Sequence, residues 1–464
     1  MAKLNLTVIG GGSVNWMRGL MRDVYLIDEI EGGKIRLVDP YKEHVEAVAQ
    51  MLFAFNKMRK KDYEVSIVED RKGALEGADI VLSTFSPGRM DAFYNDLEIP
   101  IKYGIRLPVS MTVGTSGISA SLRTAPVAYE LLEDMEDVCP GAWILNETNP
   151  MSVVTKAMNM AAKRTKVLGL CHGVHGLPGI LGPALGLFMP ESMDILTYLY
   201  SWLEEQGLDY TFAGLNHFIF LNKAVLHGED VLPRIREYCR MNFGKGQKVE
   251  KEEGISTTAF ESSHQAAMAI CNQTGYFPIN SDRHTIEFWP GLCNIRNGFG
   301  MKYGVKKTTV DARKFGKARQ LEEIKKIARG EKLVSWTPSG EEVVQILRTI
   351  IIGGKMLTVV NIPNKGQISN LPDGCIVETL GNVTPEGIEP KPSGELPGVI
   401  GSWCRLHADI QHITLKAALE GSRELFIQAL SLDPASGCAD FSELPDLADE
   451  LLIANKKWLP RFFD

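Results

Sequence analysis

With 464 residues, 44% hydrophobic and 23% charged, the chain is long enough for two globular domains and ordinary in composition. Its net charge of −7 is spread without a long basic block, which argues against nucleic acid and anionic membrane surfaces as partners. No apolar stretch can span a bilayer, the first residues lack a signal-peptide pattern and the eight cysteines are scattered, so a reducing cytoplasm is expected.

Residues 4–9 are a short apolar, β-branched run ending in Gly10, Gly11 and Gly12, with Ser13 placed to cap a helix over 14–27. A strand over 34–39 is stopped by Pro40, a helix follows over 41–60, and strands follow at 64–68 and 78–83. After a glycine-rich loop come a helix at 124–137, a strand at 142–146, a helix at 151–163 and a strand at 166–170. Strands alternating with helices predict an α/β fold, a Rossmann-like doubly wound parallel sheet with right-handed crossovers. Beyond Gly176 the texture changes. Strands are expected at 195–201 and 210–222, and helices at 231–242, 318–328, 340–351, 408–430 and 444–458, while 380–397 reads as a Pro/Gly-rich loop. The expected organisation is a nucleotide-binding domain over 1–173 and an α+β domain over 174–464 that completes the site.

Gly10-Gly-Gly-Ser-Val-Asn15 fits G-x-G-x-x-G except that Asn15 stands where the last glycine belongs. Lying between a strand and a helix, it predicts that pyrophosphate approaches the glycines and the helix N-terminus. Asp39, ending the second strand, is placed to bond a ribose hydroxyl pair and to repel a 2′-phosphate, which favours NAD over NADP.

Four further features carry chemistry: Asn149 before Pro150, Cys171 after a buried strand, His217 in Ala213-Gly-Leu-Asn-His217, and the polar cluster from Asn280 to Glu287 with Asp282, Arg283 and His284. A lone buried cysteine is ordinarily a small hydrophobe, and a lone histidine is ordinarily structural. Together, behind a nucleotide-binding sheet, Cys171 and His217 form a thiolate–imidazole pair suited to a divalent first-row metal such as Mn, Fe, Co, Ni or Zn. Two protein ligands leave room for substrate hydroxyls and do not make a closed structural zinc site. His172 and His175 are also candidates, though His172 would face away from Cys171 if the strand continued.

In this order, the GGGS loop, Asp39, Arg123-Thr-Ala-Pro126, Asn149-Pro-Met151, Cys171-His172 and Asn216-His217 resemble glycoside hydrolase family 4 over essentially the whole chain. The resemblance implies a fold related to lactate and malate dehydrogenases and a mechanism outside the two-carboxylate scheme of most glycosidases. NAD⁺ takes hydride from C3 of the sugar, and Mn²⁺ or another divalent metal polarises the resulting ketone. A base then removes the C2 proton, the glycosidic oxygen leaves, water adds, and NADH returns the hydride. Carried over, Cys171 and His217 hold the metal, and Gly10, Gly12, Ser13, Asp39 and Thr84 hold NAD. Asn149, Arg89 and His172 contact substrate. The base is Asp282, with His284 and Tyr276 as rivals.

The Cys171–His175 segment and the loop from Ser110 to Ile118 point to an α-linked galacturonide or glucuronide. Neutral α-galactosides or α-glucosides and 6-phosphoglycosides are the alternatives. Arg89, Arg123, Arg283 and the histidines are available for a sugar carboxylate, although Arg123 is equally placed to brace the glycine-rich loop. A homodimer or homotetramer is implied. The rivals from other classes are an NAD-dependent hydroxy-acid dehydrogenase, which has no use for Cys171, and a non-catalytic nucleotide sensor.

Overall fold

The N-terminal apolar runs become parallel strands: β1 (Ala2–Ile9), β2 (Ile30–Val38), β3 (Asp62–Ile67), β4 (Ile80–Ser83), β5 (Trp143–Asn146) and β6 (Lys166–Gly169). The structure is a computed structural model describing residues 2–246, 253–254 and 262–463. Further along are β7 (Leu208–Leu215), β8 (Phe218–Leu226), β9 (Glu229–Asp230), β10 (Glu253–Gly254), β11 (Phe277–Pro278), β12 (Lys307–Thr308), β13 (Met356–Pro363), β14 (Ile376–Thr384) and β15 (Gly387–Pro390). Thirteen of these form one sheet in the order β11-β8-β7-β14-β13-β6-β5-β4-β1-β2-β3, with β15 on β14 and β9 on β8, while β10 and β12 pair separately. The expected boundary near Val174 thus falls between strands that share one sheet: β13, from the second half, pairs antiparallel with β6.

Both faces of the parallel part are buried, which is why its strands read as continuous apolar runs rather than alternating ones. Leu6, Val8, Ile80, Leu82, Leu145 and Leu168 pack under the helices Met17–Tyr25, Lys42–Arg59 and Glu342–Ile352. Ile9, Val81, Ile144 and Val167 face the helices Gly114–Val138, Met151–Ala161 and Gly398–Glu420. The doubly wound expectation is met.

Several local expectations are corrected. The first helix starts at Met17 with Trp16 as N-cap and no side-chain cap, so Ser13 caps nothing; instead its carbonyl accepts from the N–H groups of Trp16 and Met17. The Gly114–Val138 helix begins inside the glycine-rich loop, because Gly114 at φ 71 and Gly117, packed on the backbone of Thr112, permit a turn there. Residues 195–205 are helical rather than extended, started by the Asp194 carboxylate on the N–H groups of Leu196 and Thr197. The 408–430 helix is two helices broken at Gly421, φ 68. The 380–397 stretch is not all loop, since it contains the end of β14 and all of β15, and β13 is a strand that periodicity did not single out.

Candidate active site

One row of paired residues crosses the sheet at the carboxyl ends of its parallel strands. It runs Ile9–Ser83–Asn146–Gly169–Asn361–Glu378–Gly214. Just past that row lie Gly10, Thr84, Glu147, Cys171 and the Asn216-His217 turn. Ligands of open α/β sheets bind outside this edge.

At one end of the edge is the glycine loop. Gly10 has φ 92, and a Cβ there would meet the Thr84 carbonyl oxygen at 2.6 Å, so the loop and the start of the Thr84–Gly88 segment are locked together. The Thr84 N–H donates to the Ile9 carbonyl at 2.8 Å. Asp39 accepts from the Gly12 N–H through Oδ2 and from the Tyr41 N–H through Oδ1, both at 2.9 Å. The helix beginning at Met17 has no side-chain cap, which keeps its N-terminal donors open to an anion. Gly10, Gly12, Ser13, Asp39 and Thr84 are therefore neighbours, in an arrangement that fits a dinucleotide. Arg89, expected at the sugar, is placed at this end, with its guanidinium 3.4 Å from the Tyr41 ring centroid and 3.8 Å from Asp39. Lys317 is pushed down to about 8 by burial and by the charges of Arg89 and Arg313.

At the other end, Cys171 stands two residues beyond β6. The strand stops at Gly169, so the condition for His172 to face away is not met; His172 lies close enough to His217 and His284 to disfavour their protonation. Gly173 and Gly176 are required by contact: a Cβ on Gly173 would meet Asn280 Nδ2 at 2.7 Å, and one on Gly176 the Ile279 carbonyl at 2.4 Å. That packing draws the polar cluster after Ile279 onto the cysteine segment.

His217 comes from the tight turn between β7 and β8, with φ 64 in the left-handed region. Its Nδ1 lies 2.8 Å from Thr112 Oγ1, which leaves Nε2 as the nitrogen available to a ligand. His284 stacks on it with centroids 4.0 Å apart. Burial pushes His217 down to about 3 and His284 well below its usual range, so both rings are neutral at physiological pH, as metal ligation by His217 requires. The adjacent Asn216 donates to Glu378 Oε2 at 2.7 Å and also hydrogen-bonds the Cys171 thiol. Burial and the Glu378 charge push that thiol well up, so a thiolate forms only beside a cation. Among the described residues no set of three His, Cys, Asp or Glu side chains could hold a metal. Cys171 and His217 are the two candidate donors at this end, and a two-ligand set suits an open site rather than a closed one.

Other candidates are placed differently. Asp282 is buried with its carboxylate on the N-terminus of the Gln265–Thr274 helix, accepting from the Ala267 N–H at 2.9 Å. That capping role competes with its expected role as base. Asn149 precedes a cis peptide bond and accepts from the Met151 N–H at 3.3 Å. Arg123 is bound to Asp96 at 2.6 Å and to the Pro87 carbonyl, so it braces rather than binds. Arg283 donates to Thr308 Oγ1 at 2.7 Å. Sequence reasoning missed Thr112 and Glu378. The first sits in the loop from Ser110 to Ile118, which sequence reasoning reads only for substrate preference, and Glu378 left a trace as a lone carboxylate in the apolar run of β14.

Burial raises three carboxyls around this edge: Glu147 to about 8, Glu287 and Glu378 to about 7. Each holds its proton more tightly folded than unfolded. The stability they contribute is fully present below their unfolded value of 4.5 and is lost as pH rises through about 7 to 8. With a chelator present, the urea midpoint is expected to fall across that window, with a shallower fall in Glu378→Gln. A midpoint independent of pH there would contradict the buried protons.

Comparison with known proteins places this geometry in context. The family model described as Family 4 glycosyl hydrolase matches residues 5–187, and that for its C-terminal domain matches 212–436. An alpha-galacturonidase of Bacillus subtilis (strain 168) is 31% identical over 93% of each chain. The crystal structure of lplD from Bacillus subtilis superposes with TM-score 0.85 at 29% identity, covering 97% of this chain and 100% of that one. A 6-phospho-alpha-glucosidase from gut microorganisms, solved in complex with NAD and Mn²⁺, shares the fold with TM-score 0.76 at 18% identity over 99% of each chain.

Proposed function

The chain belongs to family 4 of the glycosyl hydrolases, and on that premise we propose that it cleaves an α-linked hexuronide, an α-galacturonide before an α-glucuronide, with NAD and a divalent metal such as Mn²⁺. The observation that carries this reading is the meeting of Cys171 and the Asn216-His217 turn at the sheet edge that also carries the glycine loop. The alpha-galacturonidase relative supports the sugar class, and the fold relative solved with NAD and Mn²⁺ supports the cofactors.

Gly10, Gly12, Ser13, Asp39 and Thr84 would hold NAD; Cys171 and His217 would hold the metal. When bound, they supply a hydride acceptor for C3 and a Lewis acid for the C2 and C3 oxygens. Asn149 and His172 orient the sugar hydroxyls. His284 is the base: its Nδ1 is buried with no hydrogen-bond partner among the described residues, and the ring is neutral, so it can take the C2 proton. Asp282 acts behind it by fixing the segment to the Gln265–Thr274 helix.

The test is a panel of p-nitrophenyl α- and β-glycosides, uronides and 6-phosphoglycosides with NAD⁺, Mn²⁺ and a reductant. The α-uronides are expected to be cleaved fastest, without net NADH. Net NADH from a hydroxy acid and no glycoside cleavage would replace this reading with the dehydrogenase one. In D₂O the product should carry solvent deuterium at C2. His284→Gln is expected to slow cleavage on the order of 100-fold or more, and unimpaired exchange in that variant would move the base elsewhere.

A further inference from the structure

A sugar carboxylate needs a cation, and the arginines the sequence offers are engaged. Arg123 is bound to Asp96, Arg89 lies over Tyr41 beside Asp39, and Arg283 bonds Thr308. Arg313, in the first turns of the Val310–Ala328 helix, is different. Its Nε and Nη2 are shut off from solvent with no hydrogen-bond partner among the described residues; the buried Glu287 carboxylate acts on it only through space, with Oε1 already accepting from the Val109 and Ser110 N–H groups. Nη1 has only the Met111 thioether at 3.9 Å, a weak acceptor, and the guanidinium lies 4.9 Å from the Phe93 ring centroid.

A guanidinium withdrawn from water without an anion is costly, and a fold retains such a group where a ligand completes it. Its position fits one ligand. Met111 adjoins Thr112, which holds His217 Nδ1, and the Arg313 charge is felt at His284. The cation therefore borders the loop that orients the candidate metal ligand. A planar fork with one positive charge matches a carboxylate of one negative charge, which it can hold bidentately.

We infer that Arg313 reads the C6 carboxylate of the substrate and sets the preference for uronides over neutral sugars. The inference rests on the uronide reading above. Wild type, Arg313→Ala and Arg313→Lys are compared on p-nitrophenyl α-D-galacturonide and p-nitrophenyl α-D-galactoside. The measured quantity is the ratio of the two kcat/KM values. Arg313→Ala is expected to lower the ratio on the order of 100-fold, mainly through KM for the uronide, and Arg313→Lys to restore part of it. Glu287, the buried carboxylate that feels Arg313, keeps its bonds from the Val109 and Ser110 N–H groups and the charge of Arg283, so the variants should fold, with NAD⁺ binding as the check. If the wild type prefers the uronide and Arg313→Ala keeps that preference, the inference falls while the uronide reading stands. A wild type that prefers the neutral or 6-phosphorylated sugar removes both.

Discussion

Replacing Cys171 with serine is expected to lower kcat/KM on the preferred glycoside by on the order of 1000-fold, while NAD⁺ affinity and fold are retained. The magnitude follows from losing a Lewis acid worth several kcal/mol to the reaction, at about 1.4 kcal/mol per factor of ten. The direction follows from the local electrostatics. Burial and Glu378 hold the thiol protonated until a cation arrives, so binding the metal and releasing the proton are one event. A serine hydroxyl is nearly isosteric but remains neutral, so it occupies the same space without supplying an anionic ligand. The Asn216 bond to Glu378 and the glycine loop do not depend on sulfur, which is why NAD⁺ binding should persist. Activity, Mn²⁺ titration and NAD⁺ titration on one preparation separate these effects. A Cys171→Ser enzyme with wild-type turnover would remove the metal assignment and the function built on it.

What was legible in the sequence was local. The parallel half could be read because each strand is a short apolar run bounded by glycine, proline or a polar loop. The Gly10 loop could be read because its residues are contiguous. Cys171 and His217 stood out as unusual residue types at strand ends. The rest depends on pairing between distant segments. β13 joins β6 through Asn361 and Gly169, and no pattern within either segment announces it. Asp282 looked like a free carboxylate because the helix it caps starts at Gln265, and a capping bond leaves no periodicity. Nothing in the sequence sets Arg313 apart from the other cations of its charged helix, since what makes it informative is a property of its surroundings. The 195–205 segment misled because Ile195, Leu196, Tyr198 and Leu199 suit a strand by composition, whereas the Asp194 cap and tertiary packing decide for helix.

Arg123→Met is expected to cost about 3–5 kcal/mol of stability, the largest loss among substitutions outside the candidate metal and cofactor contacts. Arg123 and Asp96 are both buried, and their bond joins the Gly114–Val138 helix to the Arg89–Glu98 helix. Asp96 also accepts from Ser119 Oγ at 2.7 Å and Asn455 Nδ2 at 3.1 Å, so the C-terminal region hangs on the same carboxylate. Removing the guanidinium strands that charge in the interior, and the remaining neutral donors cannot offset it. Equilibrium urea unfolding should show the loss. The double variant Arg123→Met with Asp96→Leu should recover part of it, because no charge is then left unpaired. The functional consequence is separable. Arg123 Nε also holds the Pro87 carbonyl at 2.9 Å, which anchors the Thr84–Gly88 segment against the glycine loop. Weaker NAD⁺ binding is therefore expected in both variants, with uronide-to-galactoside preference unaltered in each. A variant that keeps its stability and loses that preference would instead make Arg123 the carboxylate reader and displace Arg313 from the role.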